Sequence, residues 1–295
     1  MNLNDLLRSR NIDPQRVIVL RHRPPEPELN KVLPWLAAEK PDVFNAYQQT
    51  QGEKLQNVME DMTGVGYIAS FIGRKARKAV FVGLYSIAAS KPLTYEEYWE
   101  IPANVDLKTH GQKSYTSKAD WSSSVLWFDL VLTDFCASWK GKLIVDWPPP
   151  ELSWWRRAHK NEMRVFAILE DSALDTDMRD WREISLTWDQ LHILPKRWMP
   201  VLSQWRCIYY IFDASDGKGY VGSAYGKTNL LERWQNYAAS GDGGNRLLQQ
   251  RDPSNFHFTI LERVSPDTEP GDVIKLEASW KQRLHTHEPF GLNIN

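Results

Sequence analysis

Tyrosine, arginine and glutamate recur in the last third of the sequence, and their types and spacing could serve packing or chemistry. Tyr209 and Tyr220 lie in the stretch CIYYIFDASDGKGYVGSA, where two β-prone runs flank an Asp-Gly turn and predict a hairpin. Because aromatic residues in strands often serve packing alone, the hairpin leaves two roles open for these tyrosines, core and chemistry. The residues that follow the hairpin bear on this choice.

Two predicted helices follow the hairpin, and each carries charged residues beside an apolar stripe. The first, of about ten residues from Leu230 with Asn229 as its N-cap, places Arg233 and Tyr237 four positions apart on one face. After a predicted strand at 256–262, the second helix over 273–285 places Glu277 at the border of its apolar stripe. Burying a carboxylate is costly without a partner, so helix periodicity favours a salt bridge, with Arg233 as candidate, over a metal site.

Taken in order, these residues resemble the motifs of the GIY-YIG nuclease superfamily. CIYYI corresponds to the first motif, with Cys207 in place of its glycine, and GYVGSA corresponds to the second. The resemblance spans residues 206–295 and implies a small three-stranded antiparallel sheet flanked by helices, within a chain of the α/β (α+β) class. The catalytic positions that it implies are Tyr209, Tyr220, Arg233, Tyr237, Glu277 and Asn293.

The resemblance also implies a reaction, the hydrolysis of phosphodiester bonds with one Mg²⁺ or Mn²⁺ per active site, held by Glu277. Arg233 is expected to bind the phosphate with a two-pronged contact that lysine cannot reproduce. Tyr220 is the candidate general base, and nearby cations would have to lower its phenol pKa from about 10. Tyr209 and Tyr237 would orient water and phosphate.

Three further positions concern the edges of this site. The terminal asparagine of the family pattern corresponds to Asn293, which would hold Glu277 or a hydroxyl group in place. The loop at 238–250 lacks a histidine that some family members carry, so Asn245 or Arg246 could supply that phosphate contact.

Residues 1–204 are predicted to form a DNA-recognition region, and residues 205–295 the nuclease domain. Helices and loops are expected over 1–62, followed by strands at 78–88, 124–135, 142–147 and 163–170. This pattern faintly resembles PUA-like domains, small barrels that include readers of modified bases, which take a flipped base into an aromatic pocket. The alternative is that the 12 tryptophans before Cys207, of 14 in the chain, build an aromatic-rich core.

Two basic clusters in this region could contact DNA. For the first, GRKARK at 73–78, a solvated turn is the favoured interpretation. The second, WWRRAHK at 154–160, interleaves aromatic and basic residues in a way that suits stacking on bases, and a solvated turn is an equally open alternative. The candidate contacts are Arg74, Lys75, Trp154, Trp155, Arg156, Arg157 and Lys160.

Composition narrows the cellular context. The 295 residues carry a net charge of −1 and two cysteines, so neither an overall basic surface nor a disulfide framework is indicated. Without an apolar segment of membrane-spanning length, we expect a cytoplasmic protein with no membrane partner.

Double-stranded DNA, with or without modified bases, is the expected partner, and a restriction-type endonuclease is the leading hypothesis. The alternatives are a homing, mobile-element or repair nuclease, or a catalytically silent nucleic-acid binder. Because one chain supplies one active site, cutting both strands would require a homodimer or two successive nicks.

Overall fold

The computed structural model describes residues 1–74, 77–121, 125–150, 152–175 and 178–294. The chain divides into two compact units, Met1–Thr176 and Asp177–Asn295. Both units combine helices with a sheet, which confirms the predicted α+β class. The assignment of recognition to 1–204 and nuclease function to 205–295 stays a prediction. No helix in the described ranges is long and apolar enough to cross a membrane.

The first unit is built on a mixed seven-stranded sheet. Its strands are Val17–His22 (β1), Tyr67–Gly73 (β2), Lys78–Pro92 (β3), Leu126–Leu132 (β4), Leu143–Asp146 (β5), Trp155–Arg157 (β6) and Val165–Ile168 (β7). They are ordered β6-β1-β2-β3-β5-β7, with β4 also paired to β3. β1 and β2 run parallel and the other pairs are antiparallel. Strands β1 and β2 were not among those predicted, and β1 lies within the segment expected to be helix and loop.

Helices pack against both faces of this sheet because its strands carry buried apolar residues on both faces. The helices are Leu3–Ser9 (α1), Pro27–Glu39 (α2), Pro41–Gln49 (α3), Glu53–Glu60 (α4), Tyr95–Glu100 (α5) and Pro102–Thr109 (α6). Leu3 and Leu7 of α1 share one core cluster with Phe71 of β2. Leu55 of α4 packs on the opposite face with Ile68.

Many of the tryptophans serve as core, as the packing alternative expected. Trp147 is fully buried. Trp99, Trp121 and Trp127 pack their rings around buried Tyr98 at centroid distances of 5.1–6.5 Å. The PUA-like resemblance stays a prediction.

The second unit carries the hairpin and both predicted C-terminal helices. Its strands are Ser185–Thr187 (β8), Arg206–Asp213 (β9), Gly219–Ala224 (β10) and Phe256–Val264 (β11), and its helices are Trp188–His192 (α7), Met199–Leu202 (α8), Asn229–Ser240 (α9) and Pro270–Arg283 (α10). The sheet order is β10-β9-β11-β8, with all pairs antiparallel. The resemblance implied three strands; β8 is a fourth, and it comes before the boundary predicted at residue 204.

Both helices that carry predicted site residues begin earlier than predicted: α9 begins at Asn229 and not at Leu230, and α10 begins at Pro270 and not at residue 273. Thr228 precedes α9, and Asn229 is its first residue, with a left-handed φ of 45°. The Thr228 hydroxyl donates to Glu232 Oε2 at 2.9 Å, and the prediction of Asn229 as N-cap is wrong, because Thr228 holds that position. The predicted apolar stripe of α9 is confirmed by Leu230 and Trp234, which are fully buried. This stripe leaves Arg233 on the outer face of the helix.

Candidate active site

Tyr209 lies across the strand opposite it, directly over a glycine. Tyr209 in β9 pairs with Gly222 in β10, and a Cβ atom on Gly222 would lie 2.4 Å from Tyr209 Oη. No side chain fits there, so the second motif needs glycine at this position for the tyrosine ring to lie flat over the strand. The hairpin is therefore shaped around this phenol.

Three phenols meet beside the hairpin. Tyr209 Oη and Tyr237 Oη are 3.2 Å apart, and the Tyr209 ring centroid lies 6.4 Å from that of Tyr220. Burial raises the pKa of Tyr209, and neighbouring Tyr220 raises it further. Burial, followed by the two neighbouring phenols, raises the pKa of Tyr237 well above its usual range. Tyr209 and Tyr237 therefore stay protonated at neutral pH, and Tyr220 is the half-buried member of the group.

Arg233 is the cation closest to this group along α9. Its side chain is exposed, and it forms no hydrogen bond or ion pair with any residue in the described part of the chain. Its charge nevertheless acts on the Tyr209 phenol, where it works to lower the pKa against the stronger effect of burial. The guanidinium is thus within electrostatic range of the Tyr209 phenol, and it is exposed to bind an anion.

Glu277 is held by two partners, Lys281 and Ser223, neither of which was predicted. Its Oε1 forms an ion pair with Lys281 Nζ at 2.8 Å, and its Oε2 accepts a hydrogen bond from the Ser223 hydroxyl. The predicted alternative of a salt bridge between Glu277 and Arg233 is therefore wrong in its partner. Lys281 lies four residues after Glu277 on α10, a spacing that could have identified it. Ser223 lies in the second motif itself.

A divalent cation fits this carboxylate. The described ranges hold no group of three or more His, Cys, Asp or Glu side chains that could bind a metal ion. Glu277 and the Ser223 hydroxyl offer hard oxygen ligands, and Mg²⁺ or Mn²⁺ accepts one carboxylate when water and a substrate phosphate complete its shell. The residues present thus suit a metal that binds together with a phosphate.

Asn293 contacts a strand edge and not Glu277. Its side-chain Oδ1 accepts from the Val221 amide and its Nδ2 donates to the Val221 carbonyl, both at 2.9 Å. β10 is an edge strand, and Asn293 is 2% exposed. The side-chain amide therefore pairs with β10 as a neighbouring strand would. The predicted contact to the glutamate is not made, and a catalytic role for Asn293 stays a prediction.

Cys207 occupies the position of the motif glycine and keeps its regular strand pairing with Ala224. Its side chain is fully buried in the main core cluster of this unit, opposite Ala224 in the hairpin. Burial raises the pKa of the Cys207 thiol to about 12, so the group behaves as a small apolar side chain.

The loop after α9 is tied to the hairpin turn by Arg251. Arg251 Nη1 lies 2.5 Å from Asp213 Oδ2, and Nη2 lies 2.8 Å from Asp216 Oδ2. Within the same loop, Asn245 Oδ1 accepts from two backbone amides, at 2.8 and 3.3 Å, and so stabilises a turn. Arg246 is exposed and has no polar contact within the described ranges, which leaves it available to a phosphate.

The basic clusters of the first unit lie at strand ends and edges. Arg74 follows β2 and is exposed, whereas Lys75 lies outside the described residues. In the second cluster Trp154 is 39% exposed and Lys160 is exposed, while Trp155 packs partly against a core cluster. Arg156 Nη2 donates to the Pro150 carbonyl at 2.9 Å. Arg157 is half-buried in the edge strand β6.

Comparison with known proteins relates the C-terminal segment to a family. Residues 206–293 match the family described as the GIY-YIG catalytic domain. Two solved structures are similar: the catalytic domain of homing endonuclease I-TevI (25% identity, 30% of this chain and 98% of that one) and a mutant catalytic domain of intron endonuclease I-TevI (26% identity, 31% and 94%). Their TM-scores of 0.26 are too low to support a structural argument. No curated protein matches the chain. The resemblance to the GIY-YIG superfamily is thereby confirmed for residues 206–293.

Proposed function

We propose that this protein is a metal-dependent DNA endonuclease that hydrolyses phosphodiester bonds. One observation carries the proposal: Arg233, which has no hydrogen-bond or ion-pair partner among the described residues, acts electrostatically on the Tyr209 phenol of a three-tyrosine cluster, in the segment that matches the GIY-YIG catalytic domain. An unpaired guanidinium next to hydroxyl donors forms a site for a phosphate.

Each side chain then has a role that follows from its environment. Arg233 binds two oxygens of the phosphate and stabilises the charge that develops on them. Tyr209 and Tyr237, protonated because they are buried, donate hydrogen bonds to water or phosphate. Tyr220, the half-buried phenol, is the proposed general base, which as a phenolate would take the proton from the attacking water.

Glu277 would hold the cation. When bound, Mg²⁺ or Mn²⁺ supplies charge neutralisation on the phosphate and on the departing oxygen. Ser223 keeps the carboxylate oriented by donating to Oε2.

Glu277→Ala tests this proposal. We expect binding of duplex DNA to persist and Mg²⁺-dependent cleavage to be lost, whereas Asp267→Ala, which removes an exposed carboxylate in the preceding loop, should cleave as the unchanged protein does. Cleavage that survives Glu277→Ala would refute the site. An unchanged protein that binds DNA and never cuts it, with Mg²⁺ or Mn²⁺, would instead identify a silent binder.

We further propose a restriction-type role, with the first unit recognising DNA. The support is the edge strand β6, which carries tryptophan and arginine next to exposed Lys160, a combination suited to stacking on bases and neutralising phosphates. Modified bases are the proposed signal, and two copies acting together would cut both strands.

Digestion of matched DNAs tests the recognition proposal. Unmodified, 5-methylcytosine, 5-hydroxymethylcytosine and glucosylated duplexes of one sequence should be cut at different rates by the purified protein with Mg²⁺. Equal rates on all four duplexes would exclude dependence on these modifications.

A further inference from the structure

Lys281 makes an unusual ion pair for a helix surface. Lys281 Nζ lies 2.8 Å from Glu277 Oε1, and their side chains are only 16% and 17% exposed. Nearer the start of α10, the pair between Lys275 and Asp272 has a similar distance of 2.9 Å, but its side chains are 81% and 63% exposed. Exposed pairs of this kind are weak because water and salt screen them, whereas shielding from solvent strengthens a pair.

Lys281 pairs with the Glu277 carboxylate, which is the group proposed to hold the divalent cation. With Lys281 on Oε1 and Ser223 on Oε2, both oxygens of Glu277 already have a partner, and the ammonium cancels the charge of the carboxylate. A divalent ion approaching the protein alone must displace this ammonium or share the carboxylate with it. A DNA phosphate changes the balance, because it offers the ammonium another acceptor and offers the metal further oxygens.

We propose that Lys281 is a positioning residue that holds Glu277 in the DNA-free protein and competes there with the divalent cation. Metal binding is therefore weak without DNA and is strengthened when a substrate phosphate arrives. The inference rests on the proposed assignment of Glu277 as metal ligand, and it adds a coupling between metal and DNA binding.

Titration of the full-length, DNA-free protein with Mn²⁺, followed by the electron paramagnetic resonance signal of free Mn²⁺, tests the inference. Lys281→Met keeps the length of the side chain and removes its charge, so the Kd for Mn²⁺ should fall about tenfold, the order expected for removing a shielded competing charge. Lys281→Arg retains a competing cation, so its Kd for Mn²⁺ should lie within about twofold of the Kd of the unchanged protein. Lys275→Met is the matched control on the same helix and should leave the Kd unchanged.

The outcomes separate this inference from the proposed function. A Kd in Lys281→Met that equals or exceeds that of the unchanged protein overturns the competition, and Lys281→Gln repeats the test if the methionine variant does not fold, as judged by circular dichroism. If Glu277→Gln binds Mn²⁺ as tightly as the unchanged protein, the metal assignment fails and the inference fails with it. If the Kd values behave as expected and no DNA is cut, the nuclease proposal fails while the competition stands.

Discussion

Replacing Asn293 with alanine should loosen the edge of the β9–β10 hairpin. The change removes two hydrogen bonds of 2.9 Å and leaves the amide and carbonyl of Val221, a residue with no exposed surface, without their partner. A buried polar group that loses its partner costs about 1–3 kcal/mol. Because water can partly replace the lost amide at this edge strand, we expect about 2–4 kcal/mol of lost stability against opening of β10.

Hydrogen exchange of the amides in 219–224 measures this loss in the full chain without assuming that both units unfold together. A cost of about 2 kcal/mol corresponds to exchange about thirtyfold faster. Asn236→Ala, in the exposed part of α9, is the matched control and should change exchange little. If these amides exchange at the same rate in Asn293→Ala, Asn293 does not secure the strand, and a direct part in catalysis becomes the better explanation.

Three further changes test other contacts of the site. Gly222→Ala should reduce cleavage at least tenfold with DNA binding retained, because the new Cβ would lie 2.4 Å from Tyr209 Oη; unchanged turnover would show that this phenol's position does not matter. Arg233→Lys keeps the charge but not the two-pronged geometry, so kcat should fall on the order of 10²-fold with the melting temperature unchanged, and a fully active variant would contradict the phosphate role. Hydrogen bonds from Arg251 lower the pKa of Asp216 to about 2, so the pair stabilises the fold above about pH 4 and loses this effect as the pH falls towards 2. The stability difference between the unchanged protein and Arg251→Met should accordingly narrow over that interval in urea unfolding, and a constant difference would refute the linkage.

Much of the C-terminal unit could be predicted from the sequence because its signals are local. The Asp-Gly turn, the alternating strand residues and the apolar stripes of α9 and α10 each depend on neighbours within a few positions. β8 was not predicted because its three residues, Ser-Leu-Thr, are too few to show the alternating pattern of a strand. In the first unit, the parallel pairing of β1 with β2 joins segments far apart in sequence, which local patterns do not specify.

The polar partners of the proposed site residues were not predicted from the sequence. The motif resemblance named Tyr209, Tyr237 and Glu277, and the structure places the two phenols in contact. It could not reveal that Asn293 pairs with a strand edge, because that contact depends on which strand of the sheet is left open. The i, i+4 spacing on α10 is enough to suggest Lys281 as the partner of Glu277. Arg233 was the predicted partner, and only the packed structure shows that its side chain lies on the exposed face of α9.

The short strand β8 determines where the C-terminal domain should be cut when it is transferred to another protein. Its register with His257 to Thr259 covers the open edge of β11, and its Leu186 packs in the same core cluster as Phe258. A graft cut at Arg206, where the family match starts, would leave this edge bare and prone to pair with other chains. Chimaeras built from this protein should therefore carry the segment from residue 178 onward, although its first part lies outside the recognisable motifs.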